Sequence, residues 1–163
     1  MKRTRGTPIR PAREPALELD VTFAARRPWV PRRSEFAVWA RAALAASGPP
    51  VRLSIRVVGA ARSRRLNRDY RGKPKPTNVL SFAGAGLCPD RRLDLGELVI
   101  CAPVVAREAE AAGVAPRAHW AHLTVHGVLH LRGFDHELDS QARRMMAAEV
   151  QILDLLGFSD PYL

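Results

Sequence analysis

The chain has 163 residues, enough for one domain with a hydrophobic core of its own. Its 26 basic residues outnumber 16 acidic ones, giving a net charge of +10 and a pI near 11.1; a field of that sign favours polyanions such as nucleic acid. No apolar run reaches the length of a membrane span, the basic start lacks the apolar stretch of a secretory signal, and two cysteines are too few for a disulfide framework, so a cytoplasmic, reducing setting is expected.

Residues 1–15 are basic and proline-containing without periodicity, so a disordered extension is expected there, followed by a single domain over 16–163. Leu17, Leu19, Val21 and Phe23 alternate with polar residues, which predicts a first strand over 16–23. Pro28 and Pro31 break the chain. Ser34 is placed to cap a helix bearing Phe36, Trp39, Ala40, Ala43 and Leu44, closed by Gly48-Pro49-Pro50. Val51, Leu53, Ile55 and Val57 alternate again and predict a second strand over 51–58.

A short Arg-rich helix is expected over 59–70, then an irregular segment over 71–76, RGKPKP, because two prolines and a glycine interrupt it. NVLSF (78–82) reads as a third strand, followed by a loop with Gly84, Gly86 and Pro89, and LGELVIC (95–101) as a fourth strand. Pro103 suits the first turn of a helix ending near Gly113, and Pro116 opens the next. Asp139 is placed to cap a last helix with Ala142, Met145, Met146, Glu149, Val150 and Leu153 in register, closed by Gly157. The expected class is α+β: a small mixed sheet of about four strands with helices packed on it.

The helix opened by Pro116 carries the chemistry. His119, His122, His126 and His130 fall within an arc of roughly 80° at 3.6 residues per turn, while nearly all its other positions are apolar. A helix apolar around most of its girth is a buried one, and imidazoles on it need partners. His126 and His130, four residues apart, project from one face. Gly133 can end the helix in a left-handed turn, and His136 then returns towards the same point. Three imidazoles without a fourth protein ligand make a catalytic zinc site with an open position. The metal is therefore expected on His126, His130 and His136; His119 and His122 are expected to bond backbone or substrate. Asp135 and Glu137 could orient an imidazole or cap the turn.

This spacing is that of the long zincin motif, H-E-x-x-H-x-x-G-x-x-H, with one departure. The residue after the first His is Gly127, where a metallopeptidase has its Glu general base. The metal cage is kept and the peptidase base is missing.

A second concentration of functional side chains precedes the third strand. Between 62 and 75 lie Arg62, Arg64, Arg65, Arg68, Arg71, Lys73 and Lys75, opposed by Asp69 alone. The planar fork of Arg suits phosphate oxygens, and a proline-stiffened loop can hold cations beside a cleft. A solvated helix face with a polar loop would carry the same charges without any ligand.

These pieces resemble one known family. HGVLHLRGFDH (126–136), YRGKPKPTNVLSF (70–82) and LGELVIC (95–101), in that order, are similar to the motifs of the YbeY family of bacterial metal-dependent endoribonucleases, and the likeness runs from about Val51 to Tyr162. The resemblance implies an α+β fold, a zinc ion on His126, His130 and His136, and an essential Arg at position 71. It also implies cleavage of single-stranded RNA, maturation of the 3′ end of small-subunit ribosomal RNA and ribosome quality control, with ribosomal particles and associated proteins as partners. Pro74 stands where the family often has Asp, and Ala83-Gly84 follow Phe82 where it often has Pro-Phe.

On this reading Arg71 and His126 are catalytic, Arg68, Arg71, Lys73 and Lys75 bind RNA, and with no Glu at position 127 the proton transfers fall to a metal hydroxide or, if cleavage uses it, involve the RNA 2′-OH. The rivals are a zincin-like metallopeptidase or other metal hydrolase, disfavoured by Gly127 and the basic loop, and a ribosome-binding protein with structural zinc, disfavoured by a three-ligand cage. Oligomeric state is open.

Overall fold

The computed structural model describes residues 15–163, so the basic extension expected over 1–15 lies, Pro15 apart, outside the described residues. Four strands and five helices follow one another along these residues: β1 (Leu17–Phe23), α1 (Arg33–Ala43), β2 (Val51–Val58), α2 (Ala60–Arg71), β3 (Val79–Leu87), β4 (Leu93–Cys101), α3 (Ala102–Ala112), α4 (Pro116–Leu131) and α5 (Asp139–Leu155). They form the α+β architecture expected, with the strands in the order β1-β2-β4-β3. β1, β2 and β4 run parallel and β3 pairs antiparallel on the outer edge of β4, so the sheet is mixed.

The alternation in β2 puts Val51, Leu53, Ile55 and Val57 into the main core with Phe36, Trp39 and Trp120, while Arg52, Ser54 and Arg56 face the other way. β4 is covered on both sides. Leu98 and Ile100 join the main core, and Val99 and Cys101 join a smaller cluster with Leu80 and Val104, against which Leu66 and Phe82 pack. A strand buried on both faces reads as a near-continuous apolar run, as LVIC does.

Several boundaries differ from the sequence reading, four of them for a clear physical reason. α1 is capped by Arg32, not Ser34; Glu35 accepts the Arg32 backbone N–H at 2.9 Å, so the carboxylate satisfies the helix start. α5 begins at Asp139 with Leu138 as its cap, which places the acid inside the first turn, where the helix dipole favours it. α2 runs through Arg71, and the left-handed Gly72 (φ 69°) ends it. β3 continues through Gly84 and Gly86 to Leu87 instead of yielding to a loop. Between Ala83 and Gly86 it carries one more residue than β4 opposite, a bulge. At the facing Gly96 (φ 127°), a Cβ would run into the Phe82 carbonyl oxygen, so the glycines mark a close pairing and not its end.

Candidate metal centre

α4 is the central helix, contacting α1, α3, α5 and strands β3 and β4. Trp120, Ala121, Leu123, Val125, Val128 and Leu129 are buried, and His119, His122, His126 and His130 form a half-buried stripe between them. Gly133 (φ 95°) then turns the chain. Its N–H bonds to the His130 carbonyl and the Phe134 N–H to the Leu129 carbonyl, the paired bonds of a Schellman motif. The reversal returns His136 to α4, with its ring centroid 4.8 Å from that of His130 and 6.2 Å from that of His126. One donor atom from each of His126, His130 and His136 lies within 4.8 Å of the others, so the three could hold a metal ion.

The protonation state of His130 suits that role. Burial, reinforced by the neighbouring His126 and His136, lowers the pKa of His130 below the usual imidazole value. At neutral pH it is therefore the uncharged imidazole that a metal requires.

His126 is oriented by a residue that periodicity places merely in register on an apolar face. Glu149 of α5 is fully buried, and its Oε1 accepts a hydrogen bond from His126 Nδ1. Its other oxygen accepts the Tyr162 hydroxyl and lies 3.7 Å from His122 Nε2. Burial alone would raise the pKa of Glu149; the nearby His122 ring and the hydrogen bonds from His126 and Tyr162 outweigh it and bring the value to about 2. An ionised carboxylate only accepts, so the proton sits on His126 Nδ1 and the Nε2 lone pair is left for a metal. The signal was an acid at 149 between Met145 and Leu153, one turn from each, on the buried stripe of α5.

Asp135 and Glu137 do not take this part. The Asp135 carboxylate accepts the backbone N–H groups of His136 and Glu137 at 2.6 and 3.3 Å, and so caps the turn. The His119 ring meets a carboxylate instead of the backbone: its Nε2 lies 2.7 Å from Glu108 Oε2, and Glu108 also accepts from Asn78 at the head of β3. His122, His126 and Glu149 form a second group with donors within 4.8 Å, but there Glu149 and His126 already bond each other.

Gly127 faces the sheet. A Cβ built on it would lie 2.7 Å from Leu98 Cδ2, and its carbonyl accepts Ser81 Oγ at 3.4 Å. The missing side chain lets α4 approach β3 and β4 closely, and no carboxylate fits at that position without displacing core.

The basic segment meets this site from the other side of the edge strand. Arg71, the last residue of α2 rather than part of the loop expected, lines a cavity of about 190 Å³ together with Ser81, Ala83 and His130. A cation and a candidate metal ligand thus share one cleft. Arg68 lies a turn earlier, paired with Asp69 at 3.1 Å, and Lys73 and Lys75 are exposed on the loop; none of the three lines that cleft. The loop is fastened to α2 by two buried polar side chains. Ser63 Oγ donates to the Thr77 carbonyl and accepts the Thr77 N–H, both at 2.9 Å, and Asn67 Nδ2 donates to the Lys75 carbonyl at 2.8 Å.

Comparison with known proteins points to one family. The family described as endoribonuclease YbeY matches residues 32–157. A curated protein of Alkalilimnicola ehrlichii named endoribonuclease YbeY is 53% identical over 155 residues, covering 91% of this chain and 92% of that protein. A solution structure of a Thermotoga maritima protein shares the fold, with a TM-score of 0.51 at 18% identity over 88% of this chain and 98% of that one.

Proposed function

This chain belongs to the YbeY family, and from that premise we propose that it is a metal-dependent endoribonuclease that hydrolyses phosphodiester bonds in single-stranded RNA. The observation that carries the reading is the shared cleft of Arg71 and His130, a phosphate-binding cation beside a candidate metal ligand.

His126, His130 and His136 would hold zinc, which when bound supplies Lewis acidity and a water of pKa near ~7. Arg71 holds the scissile phosphate and stabilises the charge that develops on it. Glu149 keeps the proton on His126 Nδ1 and so keeps the ring turned towards the site. Arg68, Lys73 and Lys75 track the backbone of the unpaired strand. The missing side chain at Gly127 argues against a peptidase, since a Glu base there would run into Leu98.

The proposed cellular task is maturation of the 3′ end of small-subunit ribosomal RNA and ribosome quality control in the cytoplasm, on ribosomal particles and their associated proteins. No helix of the described residues is long and apolar enough to cross a membrane, which is compatible with that setting. The test is cleavage of a labelled single-stranded RNA by chelator-treated protein, with and without added zinc, beside His126→Ala. Zinc-dependent cutting that disappears in the variant is expected. RNA binding without cutting under any divalent metal would favour a ribosome-binding protein instead.

A further inference from the structure

Two neighbouring residues at the end of α2 divide at the edge strand. Arg71 lines the cleft with His130, Ser81 and Ala83. Tyr70 sets its ring against Phe82, with centroids 4.8 Å apart and an interplanar angle of 67°. Phe82 packs on the smaller cluster across the sheet from the main core, so it gives Tyr70 a fixed footing. Yet Tyr70 is 68% exposed, and Arg68, Arg71 and Lys73 stand within three residues of it. An exposed aromatic ring fixed among cations is what an unpaired base needs: a π-face to stack on, with charge alongside for its phosphates.

We infer that Tyr70 is a base-stacking platform for single-stranded nucleic acid, receiving a nucleotide next to the one whose phosphate Arg71 holds. The inference rests on the nuclease reading and deepens it, because it supplies a physical source of single-strand selectivity. Bases in a duplex are stacked on each other and cannot lie on Tyr70, whereas a splayed base can. The edge position of β3 lets the strand pass from the ring on one face to Arg71 on the other. Stacking is indifferent to base identity, so the platform adds affinity without sequence preference.

The experiment is fluorescence anisotropy of the metal-loaded protein with a labelled oligothymidylate of about 12 nucleotides, set against an abasic sugar–phosphate chain of the same length. Tyr70→Ala is expected to weaken binding of oligothymidylate by roughly 5- to 140-fold, the equivalent of about 1–3 kcal/mol, and to leave the abasic chain unaffected. Tyr70→Phe should bind like the parent, because the ring and not the hydroxyl stacks. Arg68→Ala should weaken both ligands alike. Equal binding of oligothymidylate by Tyr70→Ala and the parent would overturn the inference, and so would equal losses on both chains. Metal-dependent RNA cleavage by the parent is measured in parallel: if it persists while Tyr70→Ala binds normally, only the platform falls. A parent that neither cuts RNA nor binds either chain removes both readings.

Discussion

The two halves of the site are built in opposite ways. Around α4 every imidazole of the stripe has a protein partner or a neighbouring ring, and the anchor, Glu149, is fully buried and shared among His122, His126 and Tyr162. Around the end of α2, Arg71, Lys73 and Lys75 are exposed, and no carboxylate of the described residues pairs with them. Groups that hold a metal must be fixed to fractions of an ångström, and burial with hydrogen bonds does that. Groups that hold a moving polyanion gain from staying hydrated and mobile, since their attraction is long-ranged and weakly directional. Here rigidity belongs to the chemistry and looseness to the substrate, and Arg71 stands where the two meet.

The comparison breaks most sharply at Arg71. Replacing it with alanine should reduce RNA cleavage about 10²- to 10³-fold, the loss typical of one transition-state donor, while metal content measured by atomic emission stays at the parent level. Unchanged cleavage would remove Arg71 from the reaction and leave the cation to binding alone.

Glu149→Gln tests the rigid half. It should lower metal affinity about 10- to 100-fold in a chelator competition, because an amide no longer fixes the charge and tautomer of His126. The same variant has a pH signature. The pKa of Glu149 is depressed from 4.5 to about 2 in the folded chain, so its contribution to stability is complete above pH 4.5 and is lost as pH falls from there through about 2. Acid unfolding of the parent should show that slope and the variant should lack it.

Gly127→Ala should destabilise by about 1–3 kcal/mol in denaturant titrations, through the added Cβ pressing on Leu98. Gly127→Glu should lose more stability and still not cleave casein. Peptidase activity in that variant would mean that α4 leaves room for a base at 127. The smallest effect belongs to the loose half. Lys75→Ala should bind a single-stranded oligonucleotide with a salt dependence shallower by about 0.7 in log–log slope, one phosphate contact fewer, and leave cutting of saturating RNA unchanged.

The sequence by itself determined the features that local periodicity dictates. The α4 stripe is set by 3.6 residues per turn, and the return of His136 by a glycine three residues past His130; both are short-range consequences of backbone geometry. The alternating strands and the α+β class were legible for the same reason. Boundaries shifted where a glycine served pairing instead of interrupting it, as at Gly84 and Gly86, and where a helix kept one more residue, as at Arg71. Tertiary structure alone decided the rest. Glu149 lies 23 residues from His126, and only the packing of α5 on α4 brings its carboxylate to that ring. Arg71 reaches His130 because β3 pairs on the outer edge of β4, leaving α2 and α4 to meet around an open strand. Gly127 read from sequence as a missing base; in the fold it also lies so near Leu98 that a Cβ would press on it, a proximity that no local pattern encodes.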